Sequence, residues 1–457
     1  MSTTAAIDFT YVYPYASELA QTAQGLGLRL ATCGAAHEHP HFFDGRLREP
    51  RIAADMLLVL NQVVRTHFFL QRPPNMDPVV TSSESVIRFE GFSGCCGVYV
   101  RADLASHAFD VEIQGRGTTN VDFNDRMRAE LLRIRDTDEV RLSVGASELA
   151  LHRGQETVVE KKVKLPVRWI KGFSEVQSYQ PSLEMKLELP VAEARQFLRS
   201  LPRGGGPKQA CYLAPVGRAL RLSTRSSPGA IRVSGTDRLR VVEPLLRSAK
   251  NIRIWADDAA GTCAWELEST IGRFFLMLSP ELYRGFSGEG QVLSQLATGT
   301  GEDTLRIVRS RLNWQAGLDS RSVARETGIG VEEVDTALSV LGSRGLAGYD
   351  VSTGRYYHRE LPFDLEQVET LQPRLKGARK LLEEGRVEVL RKRSEHDIDV
   401  AVGGTDVTHH VRLRGDGDRC TCPWFSKHQG ERGPCKHVLA ARMFVDGDQV
   451  AADEETA

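Results

Sequence analysis

Long hydrophobic runs are missing from this 457-residue chain: stretches on the scale of Phe274 to Leu278 fall far short of the roughly 20 residues that cross a bilayer. A membrane-spanning role is not expected. An excess of charge is missing too. Lys and Arg number 59 against 60 Asp and Glu, a formal net charge of -1, so no global basic field marks a nucleic-acid binder and no acidic excess marks a solvating, disordered chain. Cysteine is sparse, with eight residues in the chain, too few for a disulfide scaffold at this length. There is no G-K-[ST] phosphate loop and no G-x-S-x-G elbow; Gly204-Gly205-Gly206 with Lys208 lacks the rest of a phosphate-binding pattern. The opening residues Met1 to Asp8 have neither a basic region nor an apolar core of the secretory kind, and the default expectation is cytoplasmic.

What is present is a globular composition, 41% hydrophobic and 26% charged, with a length that suggests about three domains. An α+β multidomain protein is expected. Residues 1–80 are mixed, with one helix predicted from Arg51 to Phe69 and Pro73-Pro74 beyond it. Two sheet-rich α+β units follow, 81–180 and 181–300, with half-buried strands such as Val140–Val144 and Leu183–Leu189 in strict alternation. They carry a candidate internal duplication. Leu131-Leu132-Arg133, Val140–Val144 and Leu165–Ser174 recur in order as Phe197-Leu198-Arg199, Leu220–Thr224 and Leu278–Ser287. The alternative is chance recurrence of short strand phrases.

Residues 301–362 have the pattern of a winged helix-turn-helix. Leu305, Val308 and Leu312 share a helical face, Ser320 is placed to cap a helix to Thr327, and Gly328-Ile329-Gly330 makes a turn. Val331, Val334, Leu338 and Leu341 line the next helix, and Tyr349–His358 reads as a hairpin with Ser352-Thr353-Gly354 at its tip. The candidate recognition helix exposes Glu332, Glu333, Asp335, Thr336, Ser339, Ser343 and Arg344, and its carboxylates oppose docking on phosphates. The wing, with Arg355, Tyr356, Tyr357, His358 and Arg359, suits nucleic acid better, or a neighbouring domain. A charged helical linker is expected at 363–384, and a disordered acidic tail at 447–457. The basic residues Arg374, Lys376, Arg379, Lys380, Arg386, Arg391, Lys392 and Arg393 form either a phosphate-contacting surface or a solvated face.

The specific signal lies in residues 385–446. Cys420-Thr421-Cys422 precedes Cys435-Lys436-His437, and since 435 − 422 = 13 the pattern is C-x-C, twelve residues, C-x-H. Residues i and i+2 of an extended strand point the same way, so Cys420 and Cys422 can offer both sulfurs to one ion. Gly433-Pro434 supplies a turn, and Val438–Phe444 a short helix that starts at the second ligand pair. Three thiolates and an imidazole suit Zn²⁺, and a site closed by four protein ligands is structural, not catalytic. Arg419, Lys427, Arg432 and Lys436 are close enough in sequence to offset the site's charge of −3 + 2 = −1. Only His428 could substitute for His437.

This pattern resembles the SWIM-type zinc finger, C-x-C-x(n)-C-x-H on a ββα unit, with a match at all four ligands. Cys420–Phe425 and Gly430–Ala440 are similar to the version in stand-alone bacterial SWIM proteins, and Leu165–Phe173 and His39–Gly45 look familiar from the same group. The resemblance implies partners of the MoxR-type AAA+ ATPase and von Willebrand A kinds, and a DNA-binding or protein-interaction role. The remaining motifs are weak. His37-Glu38-His39-Pro40-His41 spells H-E-x-x-H, but Pro40 is incompatible with the helix that signature needs; Cys33, His37, His39 and His41 could hold a second metal from a loop or be chance histidines. Cys95-Cys96, Cys211 and Cys263 read as buried thiols. The expectation is a non-enzymatic adaptor. The runner-up is a DNA-binding protein using the finger, the basic linker and the wing, and an enzyme of the N-terminal region comes third.

Overall fold

A computed structural model describes residues 9–13, 17–22, 25–30, 41–66, 77–145, 161–165, 167–202, 211–217, 219–280, 285–288, 290–296, 301–361, 372–394, 397–405, 407–415, 417–430 and 432–456. The protein is α+β, as its alternating strands and amphipathic helices foretell. Its centre is an eight-stranded antiparallel sheet built from β1 (Val79–Ser82), β2 (Val86–Phe92), β3 (Val98–Ala105), β4 (Gly117–Asn120), β5 (Glu184–Leu189), β6 (Asn251–Asp257), β7 (Thr262–Glu268) and β8 (Gly272–Leu278). The spatial order is β5-β6-β7-β8-β3-β2-β1-β4. A division at 180/181 therefore cuts through one continuous sheet, joined where Gly272–Leu278 pairs with Val98–Leu104.

The three-strand runs β1–β3 and β6–β8 stand in mirrored order about the β3/β8 junction. The repeated phrases read from the sequence do not coincide with that symmetry. Val140–Val144 lies in a five-stranded sheet with Gly25–Leu30 and His41–Leu47, whereas Leu220–Ser223 lies in a separate three-stranded sheet. Their likeness is that of any short amphipathic strand.

One face of the large sheet is apolar. Helix α1 (Pro50–Val64) covers β2 and β3; α3 (Val191–Ser200) and a 3-10 helix over Thr236–Arg247 pack beside it. Helix α2 (Val167–Tyr179) brings Trp169 and Phe173 against Phe92. Pro50 at the first turn of α1 starts the helix without losing a hydrogen bond. The helix expected to reach Phe69 ends at Val64, and residues 67–70 lie outside those described.

The opposite face carries charge, as alternating strands normally do toward water, yet over β2, β3 and β8 it is covered. After α4 (Glu302–Arg309), α5 (Ser320–Thr327) and α6 (Val331–Ser343) comes a hairpin, β9 (Ala347–Asp350) and β10 (Arg355–His358), and this hairpin lies on it. Arg88, Arg101 and Arg273 all reach Asp350; Arg88 and Arg101 also pair with Asp103. Arg359 and the hydroxyls of Tyr99 and Tyr357 donate to Glu90. Arg88 stacks 3.8 Å from the Tyr357 ring centre. Burial pushes the Glu90 carboxyl up, but Arg359, the Tyr99 hydroxyl and Arg101 outweigh it and hold the group below its ordinary value. Burial opposes ionisation of Asp350 as well, and Arg101, Arg88 and Arg273 still pull it far down.

These placements correct several expectations. Of the two roles weighed for the wing, Tyr357, His358 and Arg359 take the packed one, buried against the large sheet, and do not face nucleic acid. Ser343, expected on an exposed face, is buried as well, because the end of α6 packs toward Gln177 of α2. Helix α5 is capped by Asp319, whose carboxylate accepts from the Arg321 amide, one residue before the expected Ser320. The segment expected as a linker contains α7 (Pro373–Glu383), whose Leu375, Ala378 and Leu381 are core residues; residues 362–371 lie outside those described. The tail expected to be disordered continues α9 (Lys436–Thr456), because a helix already nucleated by packing propagates cheaply through Ala451, Ala452, Glu454 and Glu455.

Removing one member of this buried ion layer strands its partner, a cost of about 3–5 kcal/mol. Chemical denaturation of Glu90→Ala should show a loss of that size; a loss below about 1 kcal/mol would contradict the layer's energetic role. Carboxylates with depressed folded-state pKa values stabilise above their unfolded pKa, and that stability fades as pH falls. Thermal melts taken downward from pH ~4 should therefore lose stability progressively, and less steeply in Glu90→Gln than in the parent.

Candidate metal centre

The C-terminal module is a four-stranded sheet, β11 (Val387–Ser394), β12 (Asp397–Gly403), β13 (Thr408–Arg414) and β14 (Arg419–Cys420), with α8 (Pro423–His428) and α9 against it and α7 packed on α9. Ile398, Val400, Val402, Val411 and Leu413 point inward from β12 and β13, onto Val438, Leu439 and Ala441 of α9. The alternation that marks β12 and β13 as strands also chooses the face toward the helix.

Cys420 closes β14, and Cys422 follows as the extended N-cap of α8, at φ -73° and ψ 153°. The strand-like geometry expected for C-x-C is met, although a helix begins directly after it. Cys435 immediately precedes α9 and His437 is its second residue. The ligand atoms of Cys420, Cys422, Cys435 and His437 all lie within 4.8 Å of one another, and all four residues are buried. His437 Nδ1 is 3.9 Å from Cys420 Sγ. For Zn–S of about 2.3 Å and Zn–N of about 2.0 Å, a tetrahedron has edges of roughly 3.5–3.8 Å, so this cluster needs little adjustment to close on an ion.

Main-chain amides prepare the sulfurs for negative charge. Cys422 N donates to Cys420 Sγ at 3.4 Å, Phe425 N to Cys422 Sγ at 3.4 Å, and Val438 N to Cys435 Sγ at 3.5 Å. Cys435 also sits at the N-terminus of a long helix, which favours a thiolate. A hydrogen bond from Cys420 is the main influence lowering the Cys435 thiol, to about 4, with a further contribution from His437. The same contact raises Cys420, and burial raises Cys422. One thiolate is favoured and additional ones repel it, a balance that a divalent cation reverses. The donor set fits structural zinc, and four protein ligands leave no position for a water or a substrate.

Residues 409–441 match the SWIM zinc finger family. The SWIM match includes all four clustered residues. No curated protein matches the chain. Among solved structures, Proliferating Cellular Nuclear Antigen from Entamoeba histolytica is similar over 53% of this chain and 100% of its own, at 10% sequence identity and a TM-score of 0.35.

Around the SWIM cluster, two features escaped sequence reading. The His409 ring packs 4.3 Å from that of His437, which it shields. Arg374, counted above among surface-basic residues, points inward: its guanidinium lies 4.5 Å from the Trp424 ring centre and donates to the carbonyls of Arg432 and Pro434 at 2.8 and 2.7 Å. It secures the chain entering Cys435. Next to it, buried Glu175 of α2 accepts from the amides of Gly290, Gln291 and Val292. Gly433, at φ +71°, approaches that segment so closely that an added Cβ would lie 2.1 Å from the Gly290 oxygen. Val292 and Leu293 enter the finger's own core. The Glu175 and Gly433 contacts join residues more than a hundred positions apart, and no local spacing announces them.

Among the described residues, the other sequence candidates are not assembled into a site. His428 packs on Trp424 outside the cluster. Cys95, Cys96, Cys211 and Cys263 are buried thiols, as expected. Cys33, His37, His39 and the Gly204–Lys208 segment lie outside the described residues, and His41 opens a strand, His41–Leu47. No helix among the described residues is long and apolar enough to cross a membrane.

Cys435→Ser should abolish stoichiometric zinc, measured by elemental analysis, and expose residues 409–441 to limited proteolysis. Retention of both metal and protection in this variant would refute the ligand assignment. Chelation of the parent should reproduce the proteolytic pattern, since metal binding supplies on the order of 10 kcal/mol to small zinc modules.

Proposed function

We propose that this is a non-enzymatic, cytoplasmic adaptor in which a SWIM finger, folded around structural zinc, presents a binding surface to a macromolecular partner. The observation that carries the reading is the closed, buried set of Cys420, Cys422, Cys435 and His437, which suits stabilisation rather than chemistry. Thiolate ligation favours a reducing compartment. The resemblance of the finger to stand-alone SWIM proteins directs the search for partners to a MoxR-type AAA+ ATPase and a von Willebrand A protein.

A second reading, DNA binding by the finger, is favoured by the outer face of its sheet. Arg391, Arg393, Arg412, Arg414 and Arg419 gather there around Asp397 and Asp399. Of the residues first considered for that role, Tyr357, His358 and Arg359 of the wing are buried and Arg374 is turned inward, while Arg355, Lys376, Arg379, Lys380 and Arg386 stay exposed.

Affinity purification of the zinc-loaded chain beside Cys435→Ser separates the two. The adaptor reading expects a stoichiometric protein partner that the variant loses. Fluorescence anisotropy with duplex and single-stranded DNA across a salt series provides the opposing outcome: micromolar binding that weakens steeply with salt, and is lost in Arg412→Gln/Arg419→Gln, would favour DNA and count against the adaptor.

A further inference from the structure

Away from the finger, on the helical side of the large sheet, α1, α3 and the 3-10 helix enclose a cleft of about 470 Å³. Four arginines line it, Arg195, Arg199, Arg240 and Arg247, against a single carboxylate, Glu243. Local geometry puts them there. Arg195 and Arg199 are four apart on α3 and share a face, and Arg240 and Glu243 are three apart on the 3-10 helix and eclipse one another.

What holds these guanidiniums matters more than their number. Arg195 donates to the Leu246 carbonyl at 3.1 Å, and Arg240 to the carbonyls of Leu198 and Leu201 at 3.1 and 3.0 Å. Neutral oxygens orient both forks; the carbonyl that holds Arg195 leaves its charge intact, whereas Arg240 also meets a carboxylate. Glu243 is shared between Arg240 at 3.4 Å and Arg199 at 3.5 Å, and Arg199 remains largely exposed. Arg247 pairs with buried Asp55, which Arg51 also contacts at 2.9 Å. The lining has an excess of 4 − 1 = 3 positive charges, and adding Arg51 and Asp55 leaves 5 − 2 = 3. Ordinary surfaces intersperse opposite charges; here the excess is concentrated in a concavity of the size that takes small ligands.

We infer that this cleft is a binding site for an oligophosphate group, the compact polyanion whose adjacent phosphates match several planar, bidentate guanidinium forks. Such a group reaches it either as a free inorganic oligophosphate or as the phosphate chain of a nucleotide. The site is independent of the zinc finger and of the adaptor reading.

Isothermal titration of the full zinc-loaded chain with inorganic tripolyphosphate, ATP and sulfate, at near-physiological salt, tests it. One-to-one tripolyphosphate binding is expected, with sulfate far weaker; comparable ATP binding identifies a nucleotide source, and ATP exclusion a free oligophosphate. Arg195→Gln/Arg199→Gln should weaken binding by about tenfold or more per arginine, while Arg419→Gln in the finger leaves it unchanged. Arg199→Glu, at an exposed position where the fold tolerates change, should abolish it, with an unaltered melting temperature showing that the protein is still folded. Absence of saturable tripolyphosphate binding, many-site binding, or equal affinity in Arg199→Glu and the parent would overturn the assignment, as would single-stranded DNA binding that depends on Arg199 when tripolyphosphate does not bind.

Discussion

The architecture depends on a layer of buried charge. Glu90, Arg101 and Asp103 project from the second face of the large sheet, where water would ordinarily satisfy them, and the Asp350–Arg359 region of the hairpin takes water's place. An ion pair withdrawn from solvent recovers its desolvation cost only when geometry is good and the remaining lone pairs are met, so this contact tolerates few alternatives. The layer fixes where the three-helix segment sits and leaves it little freedom to offer its hairpin elsewhere. Its directionality does what an apolar contact could not: Asp350 must lie among three arginines, and Arg359 must find Glu90.

The zinc finger is attached by a different kind of contact. Its ligand cluster is local, contained between Cys420 and His437, but the path into Cys435 runs past Arg374 and against the Gly290 backbone. Glu175, on a helix of the sheet domain, organises the same segment by accepting from three successive amides. Metal ligation is thus coupled through Pro434, Arg374 and Gly433 to the docking of the finger. An ion that orders the Cys435 loop also completes the surface on which the finger rests. This coupling gives the structural zinc a reach beyond its own module.

Much of the candidate site was legible in the sequence. C-x-C and C-x-H set four suitable donors at spacings that short elements can converge, and the structure brings those four together with little else required. The period-two and period-3.6 patterns identified strands such as Val140–Val144 and helices such as Val331–Ser343. Domain divisions were less legible. Strand pattern does not name a strand's neighbour, so the pairing of Gly272–Leu278 with Val98–Leu104, which merges two expected units, left no local mark. Arg374 was misjudged, and the choice between two readings of Arg359 was left open, for a related reason: a charged side chain is usually solvated, and its burial becomes visible only once its distant partners are known.

By itself, the sequence determined the element types, the apolar faces and the four metal donors, because these follow from backbone geometry and ligand chemistry within a few residues. Tertiary structure alone decided which polar faces meet water. The charged side of β2 and β3 and the wing residues Tyr357, His358 and Arg359 carry patterns compatible with exposure, and they are buried against one another across a long stretch of chain. It also gathered Arg195, Arg199, Arg240 and Arg247 around one cleft from two separated helices. Electrostatic meaning depends on distance in space and on what displaces the solvent, and neither is encoded in the spacing of residues along a chain.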